Sequence, residues 1–459
     1  MSPETGLAAR LAALSPEQLA RLRARTSELN DRQLTPGQQR LWEVQRAAPG
    51  RPVDVVCQAV RLTGAGVDLD RLAARLREFV QAQEALRTTF ETTGDVVRPV
   101  AHPRLPPLLR RERCSGEAQA HSRARELAEE PFDLAGGPLL RVVLAEGASP
   151  EECWLLVAVH NLVFDAWSFE LLLDWLAAPA ADDAPAADSA PAADRAPARP
   201  FGAFAREQRA WCAGPAGRAA AAYWGAELAA APAPLPTDRP RRAATGRPGR
   251  RLEFSQSAAT ARGIAEAARS EAATPYAGWL AVLWATLAEF GGTEDTVLGT
   301  FTANRDTPEA GEVVGYLLNV LPLRLRDPGD GTHRSRVRAV RAATRAGQRH
   351  LGYPGELIAR DAGRGLPGAH PLFDAVLVFD NLGQQERRIQ GARVATADVD
   401  KGTARYDLTF AVHPGADGAD CWLEYDTDRY DESTARRLVR RFSAFAERAA
   451  TPGGSEGDR

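Results

Sequence analysis

From Ala177 the chain runs Ala-Ala-Pro-Ala-Ala-Asp-Asp-Ala-Pro and continues in that vein to Pro200. Proline every few residues stops a helix from propagating, and alanine, aspartate and serine offer little to bury. The stretch is therefore predicted to be a flexible surface connection near a lobe boundary. Each flank must then supply a core of its own. At 459 residues, the chain is long enough for two to three domain-sized units.

Both flanks mix helical and strand periodicity. Before the break, a helix is expected over Gln39 to Gln45 after a cap at Thr35, a strand over Val53 to Leu62, and a helix over Leu69 to Gln83 from the spacing of Leu69, Leu72, Leu76 and Val80. Leu139 to Ala145 and Trp154 to Val159 read as strands, and Trp167 to Trp175 as an apolar helix. After the break, Arg251 to Ser255, Thr296 to Ala303, Val320 to Leu325, Ala375 to Phe379, Tyr406 to Val412 and Cys421 to Tyr425 read as strands. Ala259 to Arg269, Pro275 to Phe290 and Ser433 to Ala449 read as helices. Two α/β lobes of comparable size imply a duplicated shape with a cleft between them, where ligands usually bind.

Composition removes several function classes. Net charge is -3 and pI about 6.2, so no global basic field attracts nucleic acid. The arginine runs at Arg110 to Arg113 and Arg239 to Arg251 sit among proline, glycine and polar residues and read as solvated loop. Five cysteines, scattered without a Cys-x-x-Cys pair, argue against a disulfide framework or a zinc site. No signal-peptide pattern opens the chain; Ser15, Pro16 and Gln18 instead form a helix start. Pro275 to Phe290 is too short and too polar to span a bilayer, so a cytoplasmic protein is expected.

The informative segment is Trp154-Leu-Leu-Val-Ala-Val-His160-Asn161-Leu-Val-Phe-Asp165-Ala166-Trp167-Ser168, a buried strand, a short loop and a helix start. Further segments follow a fixed order along the chain: Leu34-Thr-Pro-Gly-Gln-Gln-Arg40-Leu-Trp42, Glu84-Ala-Leu-Arg87-Thr-Thr-Phe90, Phe201 to Trp211, Tyr223-Trp224, Leu235 to Pro240, Gly299-Thr-Phe-Thr-Ala-Asn-Arg305, Val314-Gly-Tyr-Leu-Leu-Asn319, Tyr353-Pro-Gly-Glu356 and His370-Pro-Leu-Phe-Asp374. Together they resemble the ordered motifs of the nonribosomal peptide synthetase condensation-domain superfamily, whose signature is His-His-x-x-x-Asp-Gly.

The resemblance implies an α/β (α+β) fold of two chloramphenicol-acetyltransferase-like lobes, a V-shaped pseudo-dimer with a central tunnel. It implies an N-terminal helical extension over 1–33, a first lobe over 34–176 bearing the motif, the connection over 177–200, a second lobe over 201–449 and a disordered tail over 450–459. Donor and acceptor carrier proteins would approach from opposite faces, each with its substrate on a phosphopantetheine thioester. The protein would bind no cofactor or metal of its own, and a monomer is expected.

In the family the second histidine of the signature points into the tunnel as general base or positioning acceptor, and here that position is Asn161. An amide has no basic nitrogen near neutral pH but can accept through oxygen and donate through nitrogen. An amine acceptor that arrives neutral needs less base assistance than an alcohol. The second departure is Ala166 for glycine, which would limit positive φ or the close approach of a pantetheine arm.

The neighbouring residues carry bland readings as well. His160 reads as a satisfied core histidine, and is the nearest imidazole if Asn161 is bypassed. Asp165 could cap the helix at Ala166; the resemblance implies a structural ion pair with Arg305. Ala166, Trp167 and Ser168 are expected at the tunnel. Arg87 reads as packing at a helix end. Asn319 either lines the tunnel or satisfies backbone at a strand end.

Three functions are open at this point. The first is a free-standing transferase forming an amide, or less readily an ester, on carrier-bound partners supplied by separate proteins, since no adenylation signature or carrier serine motif is found. The second is an inactive condensation-like domain that docks carriers or recruits an enzyme. The third is an acyltransferase using a soluble acyl-coenzyme A.

Overall fold

The computed structural model describes residues 33–48, 50, 54–94, 96–179, 199–240, 247–326, 329–363, 372–379 and 386–451. The helix start at Ser15, residues 180–198 of the Ala/Pro stretch, His370 and the tail beyond 451 lie outside the described residues.

Helix α1 (Pro36–Ala47) begins with a reciprocal cap. The Thr35 side chain accepts from the Gln38 N–H, and the Gln38 side chain accepts from the Thr35 N–H, with Pro36 in the first turn. Strand β1 (Val55–Thr63) leads to α2 (Leu69–Ala82), which Asp68 caps and which buries Leu72, Leu76, Phe79 and Val80 on one face. A hairpin of β2 (Thr88–Thr93) and β3 (Val96–Ala101) precedes β4 (Leu108–Arg113), α3 (Glu117–Glu129), β5 (Leu140–Glu146), β6 (Glu152–His160) and α4 (Ala166–Ala177).

The second half opens with α5 (Phe201–Ala213) and α6 (Pro215–Leu228), then β7 (Gly249–Ser257), α7 (Ala258–Ser270) and α8 (Pro275–Gly291). Next come β8 (Thr296–Thr302), the short α9 (Pro308–Gly311), β9 (Asn319–Leu325), α10 (His333–Gln348), α11 (Gly355–Asp361) and β10 (Ala375–Phe379). The chain continues through β11 (Arg388–Ile389), β12 (Ala392–Asp398), β13 (Leu408–Gly415), β14 (Gly418–Asp426) and α12 (Glu432–Ala450). Helix α8 is buried on all sides from Ala277 to Ala288, as its unbroken apolar sequence demands, and Gly292 ends it at φ +66°. Among the described residues no helix is long and apolar enough to cross a membrane.

Two six-stranded mixed sheets organise the elements, in the orders β11-β12-β1-β6-β5-β4 and β7-β14-β13-β10-β8-β9. The two-lobed α/β architecture is thus present, but its lobes are not the two halves of the sequence. Strand β12 pairs antiparallel with β1, from Gln58 opposite Asp398 to Thr63 opposite Arg393, and so completes the first sheet from the second half of the chain. Phe201, Phe204, Val313, Tyr316 and Leu317 join the first core as well. The expected division into 34–176 and 201–449 therefore misses this exchange. The physical reason is that β1 would otherwise present an unpaired edge, which β12 covers.

Candidate active site

Strand β6 is buried from Cys153 to His160 because each of its faces meets a core. Leu155, Val157 and Val159 pack into one core with α2 and α4, while Trp154, Leu156 and Ala158 pack into another with α3. The strand ends in a 3-10 turn, Asn161–Val163, after which Asp165 caps α4. The Asn161 N–H donates to the Asp54 carbonyl at 2.9 Å, fixing the turn against β1.

Between the lobes lies a cavity of about 1230 Å³. Asn161, Asp165, Ala166, Trp167 and Arg305 line it, facing an apolar wall that includes Tyr276, Trp279, Phe301 and Phe379. Asn161 is 7% exposed, and among the described residues its side-chain amide has no hydrogen-bond partner. Its oxygen and nitrogen are thus available to a ligand. Ala166 is the first residue of α4 and holds no positive φ, so only its methyl group distinguishes it from a glycine there.

Asp165 is the hub beneath the cavity. One carboxylate oxygen accepts from the Ser168 N–H (2.9 Å), the Ser168 hydroxyl (2.7 Å) and Arg305 Nη2 (3.0 Å). The other accepts from Arg305 Nη1 (2.9 Å) and from the Leu317 and Leu318 N–H groups (3.0 and 3.2 Å). Trp167 Nε1 donates to the Gly311 carbonyl at 2.9 Å, so α4 is tied to the segment between β8 and β9 at two points.

Other residues singled out by sequence sit elsewhere. His160 is 1% exposed and does not line the cavity. Its Nδ1 accepts from the Leu162 N–H at 3.1 Å, which leaves the proton on Nε2, 3.4 Å from Gln45 Oε1. Burial pushes its pKa down to about 4, with Asp54 opposing, so the ring is neutral, and with Nδ1 held by the Leu162 N–H and the ring off the cavity it is a structural group. Ser168 is wholly buried under Asp165 and does not reach the cavity. Asn319 also lies off the cavity: its Nδ2 donates to the Leu351 and Tyr353 carbonyls (2.9 and 3.0 Å) and its Oδ1 accepts from the Gly355 N–H (2.9 Å). It is a strand-end amide that satisfies backbone. Arg87 donates to the His102 carbonyl, bracing the β2–β3 hairpin.

Sequence reasoning missed Asp54, Lys401 and Arg405, which line the cavity from β1 and the β12–β13 connection. Asp54 holds φ +59°, rare for a non-glycine residue, and its carboxylate lies 3.2 Å from Arg405 Nε. Burial pushes that carboxyl up, but Arg405 and then Arg40 hold it below the usual aspartate range. Lys401, the only lysine in the sequence, donates to the Val55 carbonyl at 2.7 Å. Its solitude in composition was the one available signal.

A family model described as Condensation domain matches residues 29–455. A linear gramicidin synthase polypeptide from Brevibacillus parabrevis is 31% identical over 423 residues, covering 89% of this chain and 8% of that protein. The chain thus spans a small fraction of that relative's length. The X-domain from teicoplanin biosynthesis superposes with a TM-score of 0.79 at 27% identity, covering 92% of this chain and 95% of that one. The same domain in complex with OxyB superposes at 0.76 and 26% identity, covering 92% and 94%.

Proposed function

The chain belongs to the condensation-domain family, with that family's two-lobed chloramphenicol-acetyltransferase-like fold, and we propose that it forms an amide bond between a carrier-bound acyl or aminoacyl thioester and an amine acceptor in nonribosomal peptide biosynthesis. The observation that carries this reading is the open cavity running past Asn161 and Ala166 between the lobes, with the Asn161 amide unengaged in its wall. A chamber with an unengaged amide in its wall is what the transferase reading requires.

In the proposed reaction the amine nitrogen attacks the thioester carbonyl carbon. The C–N bond forms, the C–S bond breaks, and the sulfur leaves with the proton that the nitrogen sheds. Substrates would arrive on the phosphopantetheine arms of donor and acceptor carriers, and the chain would supply no cofactor. Asn161 Oδ1 would accept from an N–H of the incoming amine and so orient its lone pair, a role that needs no basic group. Asp165 and Arg305 would hold the floor of the site without entering the chemistry. An ester product is disfavoured in this reading, because an alcohol would need the base that position 161 lacks.

A second reading, a domain that recruits a partner enzyme, is favoured by the likeness to the X-domain solved with OxyB. The two separate in one reconstitution: the full chain, a donor carrier loaded with an acyl thioester and an acceptor carrier loaded with an aminoacyl thioester, read by mass spectrometry of both arms. Transfer of the acyl group to the acceptor arm above the protein-free rate supports the transferase. Absence of transfer with every cognate pair, alongside retained binding of a partner enzyme, supports the recruiter.

A further inference from the structure

Of the carboxylates that line the cavity, Glu129 is exposed to solvent, and the others have cations of their own except Glu424. Asp54 has Arg405 at 3.2 Å, Asp165 has Arg305 at 2.9 Å, and Glu170 has Arg387. The more exposed Asp398 has Arg251 at 2.9 Å. Glu424, on β14, is 8% exposed and lines the cavity, yet among the described residues its carboxylate receives no hydrogen bond.

Its nearest cation is Arg251 at 3.7 Å, and that guanidinium is committed to Asp398 and lies 3.9 Å from the Trp422 ring centroid. Lys401 acts on Glu424 from nearby, but gives its ammonium to the Val55 carbonyl. The charges that bear on Glu424 are Lys401 and Arg251 on one side and Asp398 and Asp400 on the other. Neither cation gives Glu424 a hydrogen bond: Arg251 stands 3.7 Å away and the Lys401 ammonium bonds the Val55 carbonyl. Burial pushes the Glu424 carboxyl up, a cost that a cation arriving in the cavity would relieve.

Trp422, two residues earlier on the strand and so on the same face, also lines the cavity. Its indole is held in place by donating Nε1 to His413 Nε2 at 3.1 Å. A buried carboxylate beside a fixed aromatic ring suits a cationic nitrogen, which the carboxylate pairs; Arg251 already covers part of the Trp422 ring, and the ligand would meet the indole surface that lines the cavity.

We propose that Glu424 and Trp422 form a specificity subsite for a positively charged nitrogen that does not itself react, so that the preferred substrate is a diamine or a basic amino-acid derivative. The inference rests on the reading of this cavity as the substrate chamber.

The test is calorimetric titration of the full chain with 1,5-diaminopentane and with pentylamine, which differ only in the second ammonium. The diamine is expected to bind about tenfold or more tightly than the monoamine, the worth of a charge-assisted hydrogen bond. Glu424→Gln, nearly isosteric, should erase that preference. Lys401→Met, which removes a competing cation, should tighten diamine binding severalfold, a change that a damaged fold would not produce. Equal binding of the two amines, binding of neither, or a preference that survives Glu424→Gln overturns the proposal. Should Glu424→Gln not fold, diamine affinity unchanged or weakened in Lys401→Met overturns it alone. Binding is read without turnover, so an inactive chain with this pattern keeps the subsite and loses the transferase reading. An active chain without the pattern does the reverse.

Discussion

The guanidinium of Arg305 grips the carboxylate of Asp165 through two parallel bonds, Nη1 to Oδ2 at 2.9 Å and Nη2 to Oδ1 at 3.0 Å, although 140 residues separate them. Each side chain is 1% exposed. The pair closes the floor of the cavity, and its geometry is that of a brace: Arg305 also donates to the Ala303 and Val313 carbonyls at 3.0 and 3.1 Å, pinning the turn that follows β8.

Removing one partner of such a pair leaves the other charged and buried. Asp165→Ala leaves the Arg305 charge uncompensated and the Ser168, Leu317 and Leu318 N–H groups without their acceptor, and should cost about 3–5 kcal/mol. Urea denaturation of the variant should show the loss as a lower midpoint at unchanged slope. A midpoint equal to that of the wild type would mean that Arg305 is solvated without its partner. Asp165→Asn should also destabilise, because its NH2 must face donors that both oxygens now accept.

Gly315 supports the same brace from the other side. It sits at φ +154°, donates its N–H to Ser168 Oγ at 3.0 Å, and leaves room for Phe201, whose Cδ2 would lie 2.1 Å from an added Cβ. Gly315→Ala should destabilise by about 1–3 kcal/mol or more, through overpacking and a backbone conformation that alanine resists. Adding Phe201→Ala should recover part of the steric share, so the double variant should lose less than the sum of the single losses in thermal melts. Strict additivity would show that the contact is relieved elsewhere.

The parts of the fold written as long periodic patterns were legible. Helix α8 runs Pro275–Gly291 against an expected Pro275 to Phe290, and α2 runs Leu69–Ala82 against Leu69 to Gln83. Strand β12 was not legible: Ala392 to Asp398 buries little beyond Ala392, so no hydrophobic alternation announces it, and its partner β1 lies more than 300 residues away. At the site, the turn at Asn161 and the cap at Asp165 were readable from local chemistry. Asn319 was not, since whether a strand-end amide faces a ligand or a carbonyl depends on where Leu351 and Tyr353 fold. Asp54 and Arg405 were hidden for the same reason, being joined only by the way distant parts of the chain pack together.

Acid should unfold the chain through the buried His160 and the half-buried His333. Burial pushes His160 down to about 4, and burial together with Arg336 pushes His333 to about 4, from 6.5. The folded state therefore binds fewer protons than the unfolded state between about pH 6.5 and 4. The stability these groups contribute is present above 6.5 and is lost as pH falls toward 4, by roughly 3 kcal/mol for a shift of this size at His160. Asp54, held below its usual range, adds its own loss only at lower pH. His160→Asn can preserve an acceptor for the Leu162 N–H and should flatten the dependence of unfolding free energy on pH across this window. A slope unchanged by the substitution would mean that His160 titrates normally in the folded state.

In the proposed reaction position 161 decides the chemistry, because it is the one cavity-facing amide of the signature and, among the described residues, its side chain is engaged by nothing else. If Asn161 orients the incoming amine, Asn161→Ala should lower turnover about tenfold to a thousandfold, the range for one lost oriented hydrogen bond, with the loss in kcat. Asn161→His places an imidazole in the cavity wall, where it can accept a proton; turnover should then rise, most for acceptors that must be deprotonated, by as much as about a hundredfold. The pH profile separates the two roles. The wild type should follow only the neutral fraction of the amine, whereas Asn161→His should add a limb near the pKa of the new imidazole. Mass spectrometry of donor and acceptor arms over a pH series measures both. If the chain serves only to dock partners, neither substitution will create product, and carrier binding will be the same in all three proteins. Wild-type turnover that persists unchanged in Asn161→Ala would take this residue out of the mechanism. His160 could not replace it, since its Nδ1 is held by the Leu162 N–H and its ring lies behind the cavity wall.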